Sequence, residues 1–260
     1  MRKYFDDLMR DKRGGFTAAL VKAVLMAVSF VYLGLIKLWD AGYRAGIFKT
    51  YDPKIKVLSV GNITVGGTGK TPFVMFVAGL LKERGRKVCV VTRGYGEDER
   101  YLLSEALRPV PVFSGRDRIK SLAEAAAGGV EIAILDDGYQ HRRALRHVNI
   151  LLIDAANPFG NGRMFPRGIL REPVSAVKRA DIAVLTKADF GGADTARVSA
   201  VLRGRFGVKK IMESVYVPEC FISAGTGRIF EIGWIKDRTV CLFSGIADSG
   251  YLKYMLAGLG

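Results

Sequence analysis

Lys70 and Thr71 close the run Gly66-Gly67-Thr68-Gly69-Lys70-Thr71. A lysine and a hydroxyl directly after glycines supply what a triphosphate needs. Backbone amides can wrap the anion, the ammonium can meet the β- and γ-phosphates, and the hydroxyl can hold Mg2+. The strict phosphate-loop spacing asks for glycine five residues before Gly69, and Thr64 stands there instead. Gly66 and Gly67 return the missing flexibility two and three residues later. A second chemical group follows the apolar run Val130 to Leu135, which ends in Asp136-Asp137. In a parallel sheet ligands sit beyond the strand tips, and an acidic pair there can hold Mg2+ directly or through water. Alone, Asp-Asp is an ordinary turn; beside a phosphate loop it reads as a metal and phosphate site. His141, in "DGYQH", either orients a carboxylate, touches substrate or serves as a structural histidine. Arg93 and Tyr95, in "TRGYG", are candidate substrate or phosphate contacts.

These residues need a scaffold. Lys56 to Val60 is apolar and β-branched, which predicts a buried parallel strand. The stretch "TPFVMFVAGLLKERG" has helical spacing and a stop at Gly85. Lys87 to Thr92, Ile150 to Ile153 and Ala180 to Asp189 are further strand signals. The fold expected is α/β: a P-loop NTPase-like, mainly parallel sheet flanked by helices. An N-terminal apolar helix precedes it and a smaller C-terminal α/β part follows. The expected divisions are 1–51 for the helical region, 52–190 for the core and 191–260 for the C-terminal part. In the last, "GVKKIMESVYVPECFIS" and "GRIFEIGWIKDRTVCLF" read as strand-like, and "TVCLFSGIA" suggests a further sheet segment.

Two rival classes share the phosphate loop. The "GGTGKT" form resembles the deviant loops of partition-type ATPases and related kinases, but those carry lysine before the glycine pair, where this chain has Val65. "TKAD", Thr186 to Asp189, resembles the guanine-reading motif of GTPases, although the matching DxxG switch is only approximated by Asp136-Asp137-Gly138.

The 260 residues carry 40 Lys and Arg against 25 Asp and Glu, a net charge of +15. That balance suits an anionic partner: nucleic acid, an anionic membrane face or a phosphorylated substrate. A basic surface without a specific partner is the bland alternative. The chain offers no aromatic-basic platform or zinc motif, so nucleic acid is not expected. Cys89, Cys220 and Cys241 lack CxxC pairing and read as buried small hydrophobes in a reducing compartment. Phe16 to Trp39 is apolar, with a charge-free core from Ala23 to Ile36. Those 14 residues fall short of the roughly 20 that span a bilayer. An interfacial helix with basic flanks is the leading reading; a single span and a helix packed on the body stay open.

The order and wording of the longer motifs go further. "SVGNITVGGTGKTP", "VTRGYG", "DDGYQHRRALR", "NPFGNGRMFPRGILREP", "VKRADIAVLTKAD" and "FSGIA" resemble the tetraacyldisaccharide 4'-kinase family from about Phe48 to Ala247. The resemblance implies phosphoryl transfer from ATP, with Mg2+, to the 4'-hydroxyl of a tetraacylated glucosamine disaccharide 1-phosphate. It places this step of lipid A biosynthesis at the cytoplasmic face of the bacterial inner membrane. Separately, a monomer is expected. Residue by residue it assigns Lys70 and Thr71 to the nucleotide, Asp136 and Asp137 to Mg2+, Glu172 to a carboxylate near the metal, and Arg171 to a phosphate contact. Asp98 takes the place of the family's catalytic aspartate, in a region that is compressed here relative to the family's G-D-E-P motif. The family continues with a D-H-H motif whose histidine partners that aspartate. "YLKYMLAGLG" stops before it, so truncation is the expectation, and low activity is expected of the 260 residues taken alone.

Overall fold

The computed structural model describes residues 2–94, 104–245 and 249–259. Seven strands form one sheet: β1 Lys56–Gly61, β2 Val88–Thr92, β3 Val112–Ser114, β4 Ile132–Asp136, β5 Val148–Asp154, β6 Ile182–Thr186 and β7 Lys210–Ser214. Their order is β3-β2-β4-β1-β5-β6-β7, and every neighbouring pair runs parallel. The central strands are apolar throughout because both faces are covered; in β2 all five residues are buried.

Alternation divides the sheet residues between two layers. On one face, Val60, Val90, Ile134 and Leu152 pack with Val74, Val77 and Ala78 of α3, Lys70–Glu83. On the other face, α4, Arg118–Ala127, sets Leu122 and Ala125 against Val57, Cys89 and Ala133. On the same side α5, Thr195–Phe206, sets Val198, Leu202 and Phe206 against Leu151, Ile153 and Leu185. Local chemistry fixes the helix ends. The side chain of Asp117 accepts from the Ile119 amide and that of Asp194 from the Arg197 amide, while Gly207 closes α5 in the left-handed conformation.

The sheet runs past residue 190, because α5 and β7 complete it. Beyond β7 lie a two-stranded antiparallel ribbon, β8 Phe221–Ile222 with β9 Ile229–Phe230, and a short helix, α6 Gly250–Ala257. The "TVCLF" segment is not a strand: among the described residues nothing pairs with it, and Phe243 stands in solvent. Of the three cysteines expected to be buried, Cys89 is, within β2, while Cys220 and Cys241 are exposed because they lie outside the sheet.

At the N-terminus, α1, Arg2–Met9, leads into α2, Phe16–Arg44. The 29-residue α2 is about 44 Å long at 1.5 Å per residue, so Lys22 and Lys37 lie inside a longer helix than the charge-free core implied. Tyr32, Leu33 and Ile36 pack against the body beside Met164 and Leu170. Phe16, Leu20, Val24, Val31, Leu35 and Leu38 stand exposed on the remaining surface.

Candidate active site

The carboxyl ends of β1 and β4 build the site together. Gly61 ends β1 against the turn after β4, where a Cβ would come 2.7 Å from Tyr139 Cβ and 2.8 Å from its amide nitrogen. Only glycine permits that approach. The next residue, Asn62, is fully buried and staples the loop. Its Nδ2 donates to Thr68 Oγ1 at 2.8 Å, its carbonyl accepts from Gln140 Nε2 at 2.8 Å, and its Oδ1 accepts from Lys70 Nζ at 3.4 Å.

The missing glycine has a structural explanation. Thr64 forms an antiparallel bridge to Leu170, and the Val65 amide donates to the Ile169 carbonyl at 2.6 Å. Thr64 is not among the residues with positive φ, so glycine is not needed there. The left-handed demand falls on Gly66 and Gly69, whose φ values are 135° and 75°. Gly69 also caps α3, and Lys70 opens that helix with Thr71 beside it in the first turn.

Lys70 Nζ lies 3.6 Å from Asp137 Oδ1. Arg171 Nη1 donates to both oxygens of the same carboxylate at 2.9 and 3.0 Å, and Arg118 Nη1, from the start of α4, donates to the Asp137 carbonyl at 3.0 Å. The charges sort accordingly. Burial pulls the Lys70 ammonium below its ordinary range, against the attraction of Asp137. Burial also resists ionisation of Asp137, but Lys70 and Arg171 together outweigh it and hold that carboxyl below the usual carboxylate range. Asp136 goes the other way, raised by burial and by the neighbouring Asp137 charge. Its Oδ1 is buried and has no hydrogen-bond partner. An orphaned carboxylate oxygen at a strand tip beside a phosphate loop fits a divalent cation. Mg2+ typically takes one or two carboxylates and completes its shell with phosphate and water.

Other sequence candidates fall differently. Arg93 is exposed just after β2, on the same sheet edge. Tyr95 and Asp98 lie outside the described residues. His141 is half-buried, and its Nε2 has no partner. Burial, reinforced by Arg118, Arg143 and Arg146, pushes its pKa down to about 4, so it stays neutral at physiological pH. Glu172 is not gathered with the acidic pair. Arg179 takes both of its oxygens, at 2.7 and 2.9 Å, and lies 4.7 Å over the Tyr139 ring. Among the described residues no three carboxylate, histidine or cysteine side chains cluster as a ready-made metal cage.

A cleft opens on the other side of the loop, lined by Gly66, Gly67, Thr68, Asp154, Lys187 and Phe190. Lys187 is buried and its Nζ pairs with Asp154 at 2.7 Å, while the Tyr251 hydroxyl donates to Asp189 at 2.7 Å. The lysine and the carboxylate of "TKAD" are therefore engaged with the protein's own side chains, which counts against a guanine-reading role.

The profile of tetraacyldisaccharide-1-P 4'-kinases matches residues 21–260. The chain belongs to the tetraacyldisaccharide 4'-kinase family. It is 36% identical over 289 aligned positions to the tetraacyldisaccharide 4'-kinase of Desulfatibacillum aliphaticivorans, covering 100% of this chain and 77% of that one. It is 39% identical over 216 positions to the Geobacter metallireducens protein of the same name, covering 71% and 64%. The crystal structure of LpxK from Aquifex aeolicus in complex with ATP superposes with a TM-score of 0.74 at 31% identity, over 92% of this chain and 78% of that one. As a member of this kinase family, the chain is an ATP-dependent kinase, and Mg2+ is the expected companion.

Several residues that matter here carry no signal of their own in the sequence. Asn62 and Tyr216, whose hydroxyl donates to the Gly69 carbonyl at 3.4 Å, act on the loop from outside its glycine motif. Arg118 and Arg179 find their partners only through the fold. Asp154 shows a trace of its role, as an acidic residue ending a strand.

Proposed function

We propose that this protein is the ATP-dependent kinase that phosphorylates the 4'-hydroxyl of a tetraacylated glucosamine disaccharide 1-phosphate in lipid A biosynthesis. The observation that carries the reading is the meeting of Lys70 with Asp137 at 3.6 Å beside the unpartnered oxygen of Asp136. Loop amides and Lys70 hold the phosphate chain and oppose charge that develops on the transferred group; in phosphoryl transfer, catalysis is almost entirely such positioning and charge stabilisation. Asp136, Asp137 and Thr71 would hold Mg2+, which supplies further charge neutralisation when bound. Arg171 keeps the Asp137 carboxylate in place and stands ready to meet a phosphate oxygen. Asp98, the counterpart of the family's catalytic aspartate, is the proposed base for the attacking hydroxyl. Arg93, Tyr95 and His141 are proposed substrate contacts. Glu172 serves through Arg179, supporting the wall behind Tyr139.

The acceptor keeps its acyl chains in a bilayer, and two features suit that surface: the net charge of +15 and the exposed apolar side of α2. Because the inner stripe of α2 is packed on the body, an interfacial position at the cytoplasmic face of the inner membrane accounts for the helix better than a free span. The enzyme acts as a monomer and requires no nucleic acid. A partition-type switch is disfavoured by Val65, which stands where those proteins place lysine. The test is transfer of labelled phosphate from ATP to the disaccharide lipid with Mg2+. Lys70→Ala should lower kcat by about 10²–10³-fold, the usual cost of removing one preorganised electrostatic group. Equal rates in the two proteins would reject the assignment.

A further inference from the structure

A strap from Met164 to Arg171 lies between α2 and the phosphate loop, and it is bonded on both sides. Inward, the Arg171 amide donates to the Ile63 carbonyl at 2.8 Å, and Leu170 bridges both Thr64 and Met164. Outward, Ser29 of α2 is 4% exposed; its hydroxyl accepts from the Arg167 amide at 3.0 Å and lies 2.9 Å from the Met164 carbonyl. One turn further along α2, the Tyr32 hydroxyl donates to the Arg171 carbonyl at 3.0 Å, and its ring meets Phe165 edge-on at 6.3 Å. Arg171 then sets its guanidinium on both oxygens of Asp137, which faces Lys70. An unbroken series of contacts thus joins the helix bearing the exposed apolar surface to the lysine of the phosphate loop.

We propose that Tyr32 is a positioning residue for phosphoryl transfer: its hydroxyl fixes the Arg171 backbone so that the guanidinium meets Asp137 beside Lys70. The catalytic consequence rests on the kinase reading above; the mechanical one does not. A guanidinium that sets one nitrogen on both carboxylate oxygens keeps that contact only while its distance and direction are held, and a side chain pivots about its own backbone. Tyr32 and Ser29 grip the two ends of the strap that carries that pivot. The helix at the apolar surface therefore holds the geometry of the site as well as the position of the enzyme.

Tyr32→Phe removes only the hydroxyl and keeps the ring on Phe165. It should lower kcat about three- to tenfold, the range an ordinary hydrogen bond carries, with the KM for ATP within twofold of wild type and binding to anionic lipid vesicles unchanged. In a double-mutant cycle, Tyr32→Phe should add no further loss to Arg171→Gln, because both act through one guanidinium. Hydrogen exchange of the amides from Arg167 to Arg171 should quicken at least threefold in Tyr32→Phe and in Ser29→Ala, while α3 stays protected. Full additivity of the kcat losses, or unchanged exchange in the strap, would overturn the proposal. Should the wild-type protein transfer no phosphate to the lipid, the kinase reading fails, and the exchange experiment alone still decides whether Tyr32 holds Arg171.

Discussion

Gly69→Ala isolates the geometric demand of the phosphate loop. Gly69 has φ of 75° and caps α3, a conformation that costs an L-residue roughly 1–2 kcal/mol. An added Cβ would also strike Tyr216 Oη, with the ring carbon Cζ next nearest at 3.1 Å. Overpacking of that kind adds roughly 1–3 kcal/mol, for a total of about 2–5 kcal/mol. For a chain of this size, each kcal/mol moves Tm by about 2–4 °C, so scanning calorimetry should register a fall of about 4–20 °C. ATP affinity should drop at least tenfold, because the loop amides proposed to meet the phosphates lie on either side of the distorted residue. Tyr216→Phe removes the oxygen that causes the clash but leaves the backbone strain and the tight Cζ contact at 3.1 Å. In that background Gly69→Ala should cost less than in wild type, but no less than the roughly 1–2 kcal/mol of the backbone strain. An equal cost in both backgrounds would refute the account of the contact, and no cost in either would refute the loop geometry itself.

The charged groups yield three further expectations. Asp136→Asn should raise Tm at pH 7, since a carboxyl whose folded pKa is raised destabilises the fold once pH passes its unfolded value. The same change should cut Mg2+-dependent transfer by about 10²-fold or more, as measured with labelled ATP. His141 has its folded pKa near 4 against an ordinary 6.5. Its contribution is therefore complete above pH 6.5 and is lost as pH falls toward 4. With allowance for partial solvent access, that is about 2 kcal/mol, and His141→Gln should flatten that part of the Tm–pH curve; an unchanged slope would disprove it. Glu172→Gln should destabilise by about 3–5 kcal/mol in denaturant titrations, because Arg179 loses a buried partner. Its Mg2+ dependence should stay that of wild type if Glu172 holds the wall and not the metal; a shifted Mg2+ requirement would return Glu172 to the metal site.

The sheet was legible because its strands are buried on both faces and read as apolar runs; β1, β2, β5 and β6 fall where those runs predict. β3 escaped because three half-buried residues make no pattern. The phosphate loop was legible from Gly69-Lys70-Thr71, yet the substitution at Thr64 made sense only with Leu170 in view, more than a hundred residues away. Asp136 and Asp137 announced themselves as a pair, but their different protonation preferences arise from Arg171, Lys70 and depth of burial, none of which spacing reveals. For Glu172, resemblance suggests a carboxylate near the metal, and what no spacing reveals is that Arg179, seven positions on, holds both of its oxygens. The hydrophobic length of α2 was plain, but the polar stripe formed by Ser29 and Tyr32 within it had no visible purpose until the strap was found opposite.

The 135-residue separation between Ser29 and Met164 has a consequence during synthesis. At about 5–20 residues per second, a ribosome needs roughly 7 to 27 seconds to make the segment between them. Throughout that interval the strap that covers the Ser29–Tyr32 side of α2 has not yet been made. Whatever greasy surface the helix meets first, bilayer or chaperone, must release the Ser29–Tyr32 side when the strap arrives, so the order of translation favours contact through the opposite side.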